Sequence, residues 1–131
     1  MNYKVFKKNL ESYRELQKEQ NRLKDQLDQM YYDLSNVKGL RYDVTPGSTN
    51  ESQIEQNRLE MIEKIHKVSG RLAMIEKRIK QIDDDIELLP YEVQQMCDLS
   101  KRGKSYEHIG RRLGYTKVGV YLKIKSEVEK I

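Results

Sequence analysis

Met61, Ile65, Val68, Leu72, Ile75, Ile79, Ile82, Ile86 and Leu89 follow one another at steps of four and three without a miss. That spacing keeps one stripe of a helix apolar along the whole run. A strand, whose side chains alternate with a period of two, cannot use it. Such a stripe has to be covered by another, so the run commits the chain to helix packed on helix. A partner stands upstream. From Tyr3 to about Asn36 there is neither Gly nor Pro, and apolar residues fall at Phe6, Leu10, Tyr13, Leu16, Leu23, Leu27, Met30 and Leu34. From Leu16 onward the steps again alternate by four and three, with the polar Gln20 inside the seam, where such a residue often sets register.

Residues 37–50 break the pattern with Gly39 and the pair Pro46-Gly47, and a loop is expected there. At that length it exceeds the usual helix connection and is read as a tip segment anchored through Leu40, Tyr42 and Val44 or left mobile. Asn50 or Ser52 is expected to cap the next helix, with Glu51 and Glu55 in its first turn. The two long helices then form an antiparallel coiled-coil hairpin, with Leu34 opposite Ile54 and Glu19 facing Arg71. Gly70 falls on the solvated side, and Asp83 to Asp85 read as a solvated acidic patch. Two helices make a thin core, and Tyr31, Tyr32, Leu59 and Ile62 lie off the seam near the tip. A homodimer assembled through the hairpin is therefore expected.

Pro90 ends the coil and divides the chain into a hairpin, 1–89, and a small module, 90–131. A first short helix over about Tyr91 to Lys101 offers Val93, Met96, Cys97 and Leu99 for packing, and Arg102-Gly103-Lys104 leads out of it. Ser105 caps a second helix with Ile109 and Leu113 on its inner side and Gly114 at its end, and Thr116 caps a third. Gly110 falls where this second helix is expected to pass close to the third, a place where a large side chain would push the pair apart. On the third helix Val120, Ile124, Val128 and Ile131 are spaced for packing, leaving Lys117, Val118, Tyr121 and Lys123 outside. This is the pattern of a helix-turn-helix, and the whole chain is read as all-α.

Charge gives the module a partner. Residues 1–90 hold 16 basic and 16 acidic side chains, so the net +4 resides in residues 91–131; Lys101 to Lys125 carries eight basic residues against Glu107 alone. A local excess of this kind is the footprint of phosphate contact, and the expected ligand is double-stranded DNA. Lys104, Ser105, Arg111 and Arg112 are placed on phosphates, with Lys123 and Lys125 adding charge along the last helix. Thr116, Lys117, Val118 and Tyr121 are placed on base edges in a major groove.

A helix ending in Arg102-Gly103-Lys104-Ser105, then Tyr106-Glu107-His108-Ile109-Gly110-Arg111-Arg112-Leu113-Gly114-Tyr115-Thr116, then Val120-Tyr121 and a terminal Val128 to Ile131, resembles the C-terminal region of ArpU-like phage transcriptional regulators. That region is similar in turn to the promoter-reading end of bacterial sigma factors. The resemblance extends over the long helices and the segment Tyr42 to Ser48, and so over nearly the whole chain. Where the family tends to carry Arg, a basic residue and a small residue, this chain has Val118, Leu122 and Glu127. The resemblance implies a phage or prophage regulator of late or packaging-related transcription. Host RNA polymerase is a further partner to consider. The rival readings are a small terminase-like packaging subunit, which would assemble rings, and an adaptor that grips polymerase instead of DNA.

The composition, 37% hydrophobic and 35% charged with no Trp and one Phe, suits long exposed helices. No apolar run is long enough to span a bilayer and the start lacks a signal-peptide core, so the host cytosol is the expected location, without membrane. Cys97 has no disulfide partner and reads as a packed thiol. His66 and His108 have no ligand-spaced companions, and there is no phosphate-binding glycine loop, paired Cys-x-x-Cys or activated nucleophile. No catalysis, cofactor or metal is expected.

Overall fold

The computed structural model describes the backbone of residues 1–40 and 50–131 and the side chains of residues 1–36 and 51–131. The expected tip contacts of Leu40, Tyr42 and Val44, and a side-chain cap by Asn50, lie outside the described residues. Five helices make up the described chain, with no strand among them: α1 Tyr3–Leu40, α2 Asn50–Glu87, α3 Tyr91–Lys101, α4 Tyr106–Leu113 and α5 Lys117–Glu129. The all-α reading holds. The first helix runs past the expected end near Asn36 and carries Gly39 within it, so the loop begins later than residue 37.

Contacts gather the chain into two compact units that do not coincide with the 89/90 boundary expected from Pro90. One comprises Met1–Lys18 and Lys77–Ile131; the other is Glu19–Glu76. The opening turns of α1 and the last turns of α2 thus belong with α3 to α5. A proline marks where a helix ends and carries no information about which residues before it pack against those after it.

In the Glu19–Glu76 unit, Leu23, Leu27, Ile65 and Val68 form a buried cluster with Met30, Leu34, Leu72 and Ile75 packed against it. These are the seam residues of both stripes, the first four buried and the other four half-buried. Met61 is also half-buried. Glu19 lies near enough to Arg71, as expected, for its charge to be felt, but Arg71 is not the main partner. Its carboxylate is held by Arg22 on its own helix, 2.9 Å from Nε, and that bond is the main reason its pKa is lowered, with Arg71 a weaker influence. An i,i+3 partner needs no interhelical reach, so it wins. A Cβ added at Gly70 would meet no neighbour within 4 Å, which fits its solvated side.

In the larger unit, Phe6, Leu10, Tyr13 and Leu16 of α1 and Ile79, Ile82, Ile86 and Leu89 at the end of α2 are buried with Val93, Met96, Cys97 and Leu99 of α3, Ile109 of α4, and Val120, Ile124 and Val128 of α5. Ile131 does not join them; it lies beyond the end of α5 and is 48% exposed. Burial pushes the Cys97 thiol up to about 12, so it is a packed, protonated side chain. The α2–α3 corner is sealed by Gln94, whose Nε2 donates to the carbonyl oxygens of Leu89 at 2.8 Å and Glu87 at 3.3 Å, while Pro90 stands as the N-cap of α3. Asp83 is not the freely solvated acid expected. Its Oδ1 accepts from Lys101 Nζ at 2.9 Å and its Oδ2 from the Tyr13 hydroxyl at 3.1 Å, and Lys101 also lies 4.3 Å from the Tyr13 ring.

Candidate nucleic-acid interface

Local chemistry fixes the turn between α4 and α5. Ser105 Oγ accepts from the His108 N–H at 3.2 Å and Thr116 Oγ1 accepts from the Gly119 N–H at 3.0 Å, each relieving one orphan donor at a helix start. Gly114 closes α4 at φ +86°, the left-handed conformation that glycine adopts without a Cβ penalty. Gly110 is required for a different reason. A Cβ there would collide with the Tyr115 carbonyl oxygen and stand 3.0 Å from its carbon. The close approach is therefore to the turn itself, and the N–H groups of Gly114 and Tyr115 both donate to the Gly110 carbonyl at 2.8 Å.

Around this turn the expected phosphate and base-reading residues divide into two groups. Lys104, Ser105, Arg111, Arg112, Thr116, Lys117 and Val118 are exposed. Among the described residues no carboxylate lies within 4.0 Å of Lys104, Arg111, Arg112 or Lys117. Tyr121, Lys123 and Lys125 are half-buried and engaged. Tyr121 meets the ring of Tyr3 edge to face at 5.4 Å, Lys125 Nζ lies 5.7 Å from the Tyr121 ring, and Lys123 pairs with Glu92 at 3.7 Å. The outward placement of Tyr121 and Lys123 is thus corrected: helical spacing put them off the Val120–Ile124–Val128 stripe, but α1 and α3 flank that stripe and occupy its two sides. Leu122, 56% exposed, holds the outward position instead, beside Val118 at 62%.

The start of α1 is the part of this surface that sequence reasoning missed. The Tyr3 and Tyr106 hydroxyls bond at 2.9 Å, Lys7 Nζ lies 5.6 Å from the Tyr106 ring, and the N-terminal ammonium donates to the Ile131 carbonyl. Burial, and for Tyr106 also the bond to Tyr3, raises the pKa of both tyrosines, so the pair stays neutral. Two grooves result. One of about 380 Å³ is lined by Lys7, Arg14, Lys104, Ser105 and Lys117 together with the acids Glu11 and Glu15. The other, about 890 Å³, is lined by Lys4, Lys7, Lys8, Tyr121 and Lys125, with Glu11 and Glu129. Three lysines with no acid among the first eight residues was the available signal, masked by the even charge balance of residues 1–90.

Among the described residues no group of three His, Cys, Asp or Glu side chains is placed to hold a metal ion, and no helix is long and apolar enough to cross a membrane. No family model, curated protein or solved structure matches the chain.

Proposed function

We propose that the chain is a DNA-binding transcriptional regulator of phage origin, in which α3–α5 act as a helix-turn-helix and the α1–α2 pair as an antiparallel coiled-coil hairpin that dimerises. The observation that carries this reading is the group of exposed cations without a carboxylate partner, Lys104, Arg111, Arg112 and Lys117, around the exposed start of α5. Ion-paired cations are already neutralised; these four remain available for phosphates. The resemblance to ArpU-like regulators supports the same assignment, late or packaging-related gene control in a bacterial host. Arg14 lines the same groove as Lys104 and Lys117, whereas Lys7 there is paired with Glu11 at 4.0 Å. The reading involves no catalysis. Exposed Tyr31, Tyr32, Leu59 and Met74 in the Glu19–Glu76 unit are the apolar surface offered to a second copy.

Replacing Arg111 and Arg112 together by Ala tests it. Fluorescence anisotropy with unrelated duplexes is expected to show weakened binding to all of them alike, because phosphate contacts carry no sequence information. Unchanged affinity would reject the interface. Lys64→Ala with Lys67→Ala, on the exposed surface of α2 in the other unit, is the control expected to leave binding as it was.

A further inference from the structure

We infer that Val118 and Leu122 read thymine methyl groups in the major groove, so that the preferred DNA site is recognised by its methyl pattern more than by hydrogen bonds to base edges. The inference rests on the DNA-binding reading above. Val120, Ile124 and Val128 fill the inner side of α5, Tyr121 is covered by Tyr3, and Lys123 is paired with Glu92. What α5 leaves to the outside is Lys117, Val118, Leu122 and Ser126, with Glu129 at its far end. No Asn, Gln or Arg stands among them to make the two-point contacts by which adenine and guanine are usually told apart. The base edges of the major groove present one apolar group, the thymine C5 methyl. Val118 and Leu122 sit four residues apart, one helical turn or about 6 Å along the axis, a separation that reaches roughly two successive base-pair steps.

Two exposed apolar side chains alone would need no explanation. Their setting commits them to an occupant. Lys117 directly precedes Val118, and the exposed Arg111 and Arg112 stand in the last turn of α4 just before the turn into α5, a charge pattern complementary to a duplex and repulsive toward a second copy of the same face. An apolar pair on a helix that opens with a cation fits a groove whose walls are phosphates and whose floor carries methyls.

The test uses the full chain and a duplex selected from a random pool by binding, prepared once with thymine and once with deoxyuridine, which lacks only the methyl. The intact protein is expected to bind the uracil duplex more weakly, about fourfold for each methyl contacted, the weight of one buried carbon. With two contacts the loss is on the order of tenfold. Val118→Ser with Leu122→Ser, at exposed positions, is expected to bind both duplexes equally while keeping the salt dependence of the parent. Equal affinity of the intact protein for the two duplexes, with salt-sensitive binding retained, overturns the methyl assignment and leaves the DNA-binding reading standing. A double variant that still prefers thymine overturns the choice of residues, and one whose mass in light scattering differs from the parent's identifies the face as a subunit contact and overturns the inference. Absence of binding to any duplex overturns the reading on which it rests.

Discussion

At the scale of single residues the titrating groups inside the larger unit shift in one direction. Tyr3, Tyr13 and Tyr106 are held above their ordinary pKa by burial first, and Cys97 likewise. Burial alone would lower Lys101, but its bond to Asp83, with Tyr13, Asp83 and Asp98 nearby, leaves it raised. Each of these groups binds its proton more tightly when folded than when unfolded. The stabilisation is therefore complete below the ordinary values, 9.0 for cysteine and 10.0 for tyrosine, and is lost as pH rises through and above them. Thermal melts are expected to give a midpoint unaffected by these groups through neutral pH that falls from about pH 9 upward. Tyr106→Phe removes one of the titrating groups, and its alkaline decline is expected to be shallower than the parent's; an identical decline would show that the Tyr3–Tyr106 pair is not part of it.

At the scale of elements two glycines make opposite predictions. Gly110→Ala forces a Cβ against the Tyr115 carbonyl, where the atom that must yield is backbone, and a loss of about 1–3 kcal/mol is expected in urea unfolding. Gly70→Ala meets open space on the helix surface and is expected to gain up to about 1 kcal/mol. Equal effects at the two positions would contradict the turn geometry. These elements were legible because their causes are local. Ser105 and Thr116 cap through N–H groups three residues away, Gly114 ends α4 by its own φ, and the 4-3 stripes declare their buried side. What escaped depends on partners far along the chain. Tyr121 and Lys123 read as outward until Tyr3 and Glu92 are known to flank them, and Asp83 reads as solvated until Tyr13 and Lys101 are brought to it. The sequence understates the extent of α1 because Gly39 costs a helix only about 1 kcal/mol and need not end it.

At the scale of the molecule, the unit that carries the cationic face is discontinuous in sequence. Residues 90–131 lack the α1 side chains Tyr3, Phe6 and Leu10 that are buried in the same unit, so this segment alone is expected to show no cooperative thermal transition. A sharp transition in the isolated segment would argue for the 89/90 boundary after all. For the whole chain, light scattering is expected to return twice the 15.6 kDa mass, and Tyr32→Glu with Leu59→Glu to return it to one. The central claim, that the exposed cations Lys104, Arg111, Arg112 and Lys117 around the α4–α5 turn grip a duplex, is met most directly by its salt dependence. Equilibrium binding of a short duplex across a series of salt concentrations is expected to fall along a log–log line of slope about −0.9 per phosphate contact, roughly −4 for four contacts per chain, and a slope near zero would contradict it.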